Sequence, residues 1–371
     1  MGSRCLWHEE VRPVDQQWPC VPSLRRDELF SSWLVRCSLR NACDAVEVAQ
    51  SLWPGRRIWT GDCDLSLSRH SLQVVAAKSG LDAADLFSST LSAVCSLLNL
   101  DWPANGRTTW VIPLGKRNLR CAGGLQFCPC CFAAGIPYYR VDWRLAWCTC
   151  CPKHEVYLHD RCPHCRAILS PHRLGYRAMD LARCHQCGGL LAAARTVPIE
   201  SADLFLANCV AKVLGGERLD NSWPCMAPAD WFTLLRCLCR LVRALALHPT
   251  TAAQAFLRSL DVDLRALLTI NSGLALEYLS VEERARYLSA ASSILQAGEL
   301  RFVAAANEVR LSAWVHRELL GTYLGTLLPA QPTRHYRTTA RPTSSGPRKP
   351  ETVVRAWYRF LRISSRTGVL H

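Results

Sequence analysis

Between residues 148 and 165 the chain reads CTCCPKHEVYLHDRCPHC, placing five cysteines and three histidines in eighteen residues. Thiolates and imidazoles at this density either ligate a metal or, oxidised, form disulfides. Their spacing favours metal: Cys128-x2-Cys131, Cys151-x2-His154, Cys162-x2-Cys165 and Cys184-x2-Cys187 form four ordered pairs. Two ligands separated by two residues can turn onto one tetrahedral ion, so four half-sites predict two Zn2+. Buried apolar cysteine is the competing use of the residue, and it does not account for four pairs at one interval. Cys130, Cys148 and Cys150 sit beside the pairs but break the interval. His159 and His164 are weaker ligand candidates still.

The order of pairing separates functions. A RING-type ubiquitin ligase interleaves its sites and nearly abuts the second and third pairs, whereas seven residues separate His154 from Cys162 here. Consecutive fingers fit better: Cys128, Cys131, Cys151 and His154 on one ion, and Cys162, Cys165, Cys184 and Cys187 on the other. The intervals of 19 and 18 residues inside these sites suit a ribbon or finger. Each ion then has four protein ligands and no open position for an activated water, which makes both structural and disfavours a zinc hydrolase or deaminase.

The rest of the chain must position these sites. It has 371 residues, 21 of them cysteine, and a net charge of +14. The N-terminus shows acidic residues and no apolar signal region, so a cytoplasmic, reducing location is expected. A chain of this length can bury ordinary cores without disulfide staples. The longest apolar stretch, WFTLLRCLCRLVRALAL, is interrupted by Arg236, Arg240 and Arg243 on one helical face, and reads as an amphipathic helix, not a membrane span.

The pattern predicts a mainly α, multidomain protein. Its parts are an N-terminal helical, helix-turn-helix-like domain (1–126), a tandem zinc-binding module (127–195), a C-terminal helical domain (196–331) and a basic tail (332–371). In DELFSSWLVRCS, Leu29, Phe30, Trp33, Leu34 and Cys37 share a helical face, with Asp27 and Glu28 expected in the first turn and a solvated polar face. Tyr138, Tyr139 and Trp143 are expected to fill the core beside a metal site with Arg140 and Arg144 outward; a stacking platform for nucleic acid is the alternative. Helical periodicity recurs over 203–214, 229–247, 251–268, 280–297 and 299–323, with a capping box at Ser280 and Glu283 and a stop at Gly298.

The segment 299–323 contains a break at Glu308 to Leu311 and reads as a helix-turn-helix or an ordinary hairpin. In the first case residues 313–320 form a recognition helix, with Trp314, His316 and Arg317 as DNA-contact candidates. The tail carries Arg334, Arg337, Arg341, Arg348, Lys349, Arg355, Arg359, Arg362 and Arg366 against the single acid Glu351. Such an arm suits counterion-releasing contact with phosphates.

Several of these motifs together resemble the TniQ/TnsD family of bacterial transposon proteins: Cys128-Pro129-x-Cys131, Tyr138-Tyr139-Arg140, Trp143-Arg144, Cys151-Pro152-x-His154 and Cys162-Pro163-x-Cys165. Upstream, PSLRRDELFSSWLVRCS is similar to the opening of those proteins, and the likeness extends over residues 22–190. Glu155 departs, standing where a glycine commonly follows the histidine. The resemblance implies a bacterial target-selection adaptor that recruits an AAA+ ATPase regulator of TniB or TnsC type, which in turn engages a DDE transposase. Its target would be named by DNA sequence, by a recombination site or by a bound CRISPR effector complex. A homodimer is a further expectation.

The sequence has no G-x4-G-K-[ST] phosphate loop, no Gly-rich dinucleotide turn and no G-x-S-x-G elbow. A non-catalytic adaptor is therefore expected. The competing classes are a zinc-finger or helix-turn-helix transcription regulator, and a zinc-dependent nucleic-acid enzyme, for which Glu155 is the one acid close to a ligand pair.

Overall fold

A computed structural model of the protein describes residues 17–100, 108–114, 124–178, 180–219, 223–268, 274–311 and 323–327. It is mainly helical, as the periodicity predicts. The helix beginning the described region runs Phe30–Arg40 with Leu29 as N-cap, and Leu29, Phe30, Trp33, Leu34 and Cys37 are all buried. Asp27 and Glu28 precede this helix and do not occupy its first turn. They serve as ion-pair partners instead: buried Glu28 holds Arg36 at 2.5 Å and accepts from Ser32 Oγ at 3.1 Å.

The polar face of the same helix, expected in solvent, is also internal. Ser31 donates from its backbone nitrogen and its hydroxyl to Asp64, both at 2.8 Å. Paired buried polar groups of this kind cost little, whereas the same groups unpaired would be expensive. Around this helix pack Ala45–Leu52, Cys63–Ser66, Arg69–Ser79, Ala83–Ser88 and Leu91–Leu97. Phe30, Trp33, Leu72, Val75 and Leu86 form a small core of their own there.

Beyond the cysteine-rich stretch come helices Ser201–Leu214, Pro228–Leu247, Thr251–Ser259, Arg265–Leu268 and Val281–Glu308. The continuous helix expected over 251–268 is split, because Asp261 adopts a left-handed φ of 58° and the backbone turns back on itself. Ser280 caps Val281–Glu308 as expected: its hydroxyl accepts from Glu283 N at 3.2 Å, and its own N–H donates to the Glu283 carboxylate at 2.9 Å. Gly298, at φ 83° and ψ 166°, kinks this helix, which resumes and ends at Glu308.

Pro228–Leu247 buries Trp231, Phe232, Leu235, Leu238, Leu241 and Val242, each side chain contributing about 1.5–3 kcal/mol through burial. Phe232 meets Trp147 at a ring separation of 4.2 Å, and Trp147 meets Trp110 edge-on at 5.5 Å. One hydrophobic core consequently runs from Leu29 to Leu324 through the cysteine-rich stretch. Among the described residues no helix is long and apolar enough to cross a membrane. The candidate recognition helix with Trp314, His316 and Arg317, and the tail from Arg334 to Arg366, lie outside the described residues.

Candidate metal centres

Each half-site is made by a tight local turn whose construction is visible in the backbone. Cys128 is the N-cap of the short helix Pro129–Ala133, with Pro129 at its first position and the Cys131 N–H donating to Cys128 Sγ at 3.4 Å. The other three half-sites reverse the chain immediately after their second ligand-type residue, through left-handed Glu155 (φ 51°), Arg166 (φ 60°) and Gly188 (φ 70°). Arg166 N donates to Cys162 O at 3.0 Å and Gly188 N to Cys184 O at 2.9 Å, so the two later turns are built alike. Single bridges, Arg161 to Ile168 and Arg183 to Leu190, close them. Glycine takes this conformation without steric cost, which accounts for its usual place at position 155.

The turns bring together Cys128, Cys131, Cys151 and His154, and separately Cys162, Cys165, Cys184 and Cys187, with the donor atoms of each group within 4.8 Å of one another. The grouping is consecutive, not interleaved. Cys131 and Cys151 sulfurs lie 3.7 Å apart, as do those of Cys162 and Cys187 and of Cys165 and Cys184. His154 Nδ1 lies 3.5, 3.3 and 3.5 Å from the sulfurs of Cys128, Cys131 and Cys151. Tetrahedral zinc with bonds of ~2.3 Å to sulfur and ~2.0 Å to nitrogen would require edges of about 3.8 and 3.5 Å. The donor sets fit a metal ion.

Neighbouring donors are occupied elsewhere. Burial pushes the Cys148 thiol well above its usual pKa, leaving it a protonated, apolar side chain. His159 Nε2 donates to Arg195 O at 2.9 Å and His164 Nε2 to Leu190 O at 3.1 Å. Neither group contains Cys130, Cys148 or Cys150.

The aromatic–arginine segment between the halves of the first group is internal. Tyr139 and Trp143 are buried, Phe132 packing edge-on against Tyr139 at 5.3 Å, so they form core and not a stacking platform. Of the arginines expected outward, Arg144 points inward and Arg140 is half-buried. Arg144 is fully buried between Asp62 and Asp64, bonding Asp64 at 3.1 Å and the Ile112 carbonyl at 3.0 Å. Burial raises Asp64 to a pKa of about 6, against the opposing pull of Arg144.

Arg140 reaches to Asp27 at 2.5 Å and to Cys131 Sγ at 3.7 Å, and lies over the Trp143 and Tyr138 rings at 5.4 and 5.5 Å. Backbone bonds run alongside, from Leu29 N to Tyr139 O and from Val141 N to Asp27 O. The first metal group is thereby fastened to the start of helix Phe30–Arg40. The partners Asp27, Asp62 and Asp64 are the residues that sequence reasoning missed as part of the site. The signal was the arginine pair itself, because a guanidinium inside an aromatic core requires carboxylates from elsewhere.

Residues 19–158 match the TniQ family model. The chain carries a TniQ domain. No curated protein matches the chain. The TniQ domain contains the whole first metal group with Arg140, Arg144 and their three carboxylate partners, and ends before the second group. It marks a protein associated with DNA transposition.

Proposed function

We propose that this protein is a non-catalytic target-selection adaptor of DNA transposition. It holds two structural Zn2+ and links a target-recognising element to an AAA+ regulator of TniB or TnsC type. The observation that carries the reading is the TniQ domain over residues 19–158. The donor sets support the zinc assignment, since three thiolates with one imidazole, and four thiolates, are common closed zinc environments. Bound zinc would cross-link the turns and contribute folding free energy, with four protein ligands leaving no position for an activated water.

The test is a reconstituted transposition reaction with transposase and ATPase present and this chain omitted or replaced by His154→Ala. Loss of directed insertion supports the adaptor; insertion at the same sites and rate without the chain refutes it. Co-purification with the neighbouring gene products distinguishes a DNA-defined target from one named by a CRISPR effector.

A further inference from the structure

A cleft of about 1250 Å³ opens between the turn Ile58–Thr60, the segment Thr108–Leu114 and the loops around the second metal group. No part of the adaptor reading uses it. One wall carries Trp59 and His172, stacked face to face at 5.0 Å with their planes 5° apart. Trp59 is fixed by donating from Nε1 to Ala45 O at 3.1 Å, so the stack is held by the fold.

The charges along the cleft do not cancel. Asp62 is committed to Arg144, and Glu277 to Arg236 and to the Trp110 N–H. Arg57 and Arg173 also line it, both exposed, and neither has a carboxylate partner among the described residues. His185 Nδ1 is buried in the same lining with no hydrogen-bond partner. Burial, then Arg173, then His185 lower the His172 pKa to about 4, so its ring is neutral near pH 7 and stacks as an aromatic without adding charge.

We propose that this cleft binds a segment of single-stranded nucleic acid, with phosphates on Arg57 and Arg173 and a base beside the Trp59–His172 stack. Guanidiniums without carboxylate partners in a cleft that also carries an aromatic stack are the pairing that single strands use. A duplex keeps its bases stacked inside and has none to offer this wall. An acidic peptide could satisfy the arginines but has no flat ring to extend the stack. The inference stands apart from the adaptor reading, because it concerns binding by the isolated chain and not insertion.

The experiment uses the full chain and the double variant Arg57→Ala/Arg173→Ala. Both residues are exposed, and retained fold is checked by circular dichroism and bound-metal stoichiometry. Fluorescent oligothymidylate, oligouridylate and a duplex are titrated across a range of salt, with oligoglutamate as competitor. The expected result is roughly tenfold weaker single-strand binding by the variant, with the salt slope reduced by about 1.4, or about 0.7 for each of two lost phosphate contacts. Duplex affinity should be unchanged, and oligoglutamate should compete poorly. The thymidylate and uridylate arms tell DNA from RNA. Unchanged single-strand affinity, equal losses for strand and duplex, or competition by oligoglutamate as effective as that by unlabelled strand would each overturn the proposal, the last in favour of an acidic peptide.

Discussion

Arg140 donates through Nη2 to the sulfur of Cys131 and through Nη1 to the carboxylate of Asp27, so a single guanidinium touches both a metal-binding thiol and the segment leading into the first long helix. A set of three thiolates and one imidazole around a divalent ion carries net negative charge, and Arg140 is placed to offset it. Replacing Arg140 with Gln is expected to weaken metal retention at the first group by about 10–100-fold, the usual effect of losing an outer-sphere partner. Chelator competition followed by metal analysis checks this, with the second group unaffected in the same sample. Hydrogen exchange over residues 27–40 should rise in the variant.

Native mass spectrometry should find two zinc ions per chain. Cys128→Ser should lose one ion and Cys184→Ser the other, each with unfolding of its local turns, because structural zinc contributes about 10 kcal/mol or more to such folds. Loss of both ions from either single variant would mean that the groups are not independent.

Arg144 lies fully buried between two carboxylates, Asp64 equally buried and Asp62 partly exposed. Arg144→Met should destabilise the protein by about 3–5 kcal/mol, the consequence of leaving buried charge uncompensated. Denaturant titration measures the loss. The matched triple change of Arg144 to Met with Asp62 and Asp64 to Asn should recover part of it.

Asp203 offers a pH test. Burial raises its pKa to about 6 while Tyr157 donates a hydrogen bond to one carboxylate oxygen; the other oxygen is buried and unpaired. From an unfolded value near 3.8, this raised folded value means that the folded protein holds a proton the unfolded chain has released. Stability therefore falls as pH rises through that window, and the penalty is complete above it. Asp203→Asn should raise the melting temperature at about pH 8, by at most about 3 kcal/mol of stability, with the gain vanishing towards about pH 4.

Glu155 occupies a left-handed turn that glycine fits without cost. Glu155→Gly should be neutral or mildly stabilising, because relief of strain and loss of unfolded-state restriction nearly offset each other. Glu155→Val should cost on the order of 1 kcal/mol, because a β-branched side chain fits the left-handed region worse than the unbranched Glu already there. Thermal melts of the zinc-loaded protein distinguish the two.

The metal groups were legible because ligand spacing is a local property: an x2 interval needs only a tight turn, and all four turns formed. The capping box at Ser280 and the break in helical backbone at Gly298 were local in the same sense. The acids of DELF were misplaced for the opposite reason. Asp27 finds Arg140 across 113 positions and Arg144 finds Asp64 across 80, and helical periodicity carries no information about such partners. Asp261 was missed because a single left-handed residue interrupts a pattern that otherwise continues.

The bonds across Phe127 and His159 bear on how this protein can be divided. Phe127 donates to and accepts from His159, each at 2.9 Å, while Arg284 of the last long helix donates at 2.7 Å to Gln126, which itself donates to the carbonyls of Trp143 and Cys148. A fragment ending at residue 158, where the TniQ match stops, would remove one side of the Phe127 pair and withdraw the Arg284 donor from Gln126. The stretch matched by the family model and the stretch these bonds tie together are thus of different lengths, and a minimal expression fragment should reach beyond the second metal group into helix Val281–Glu308.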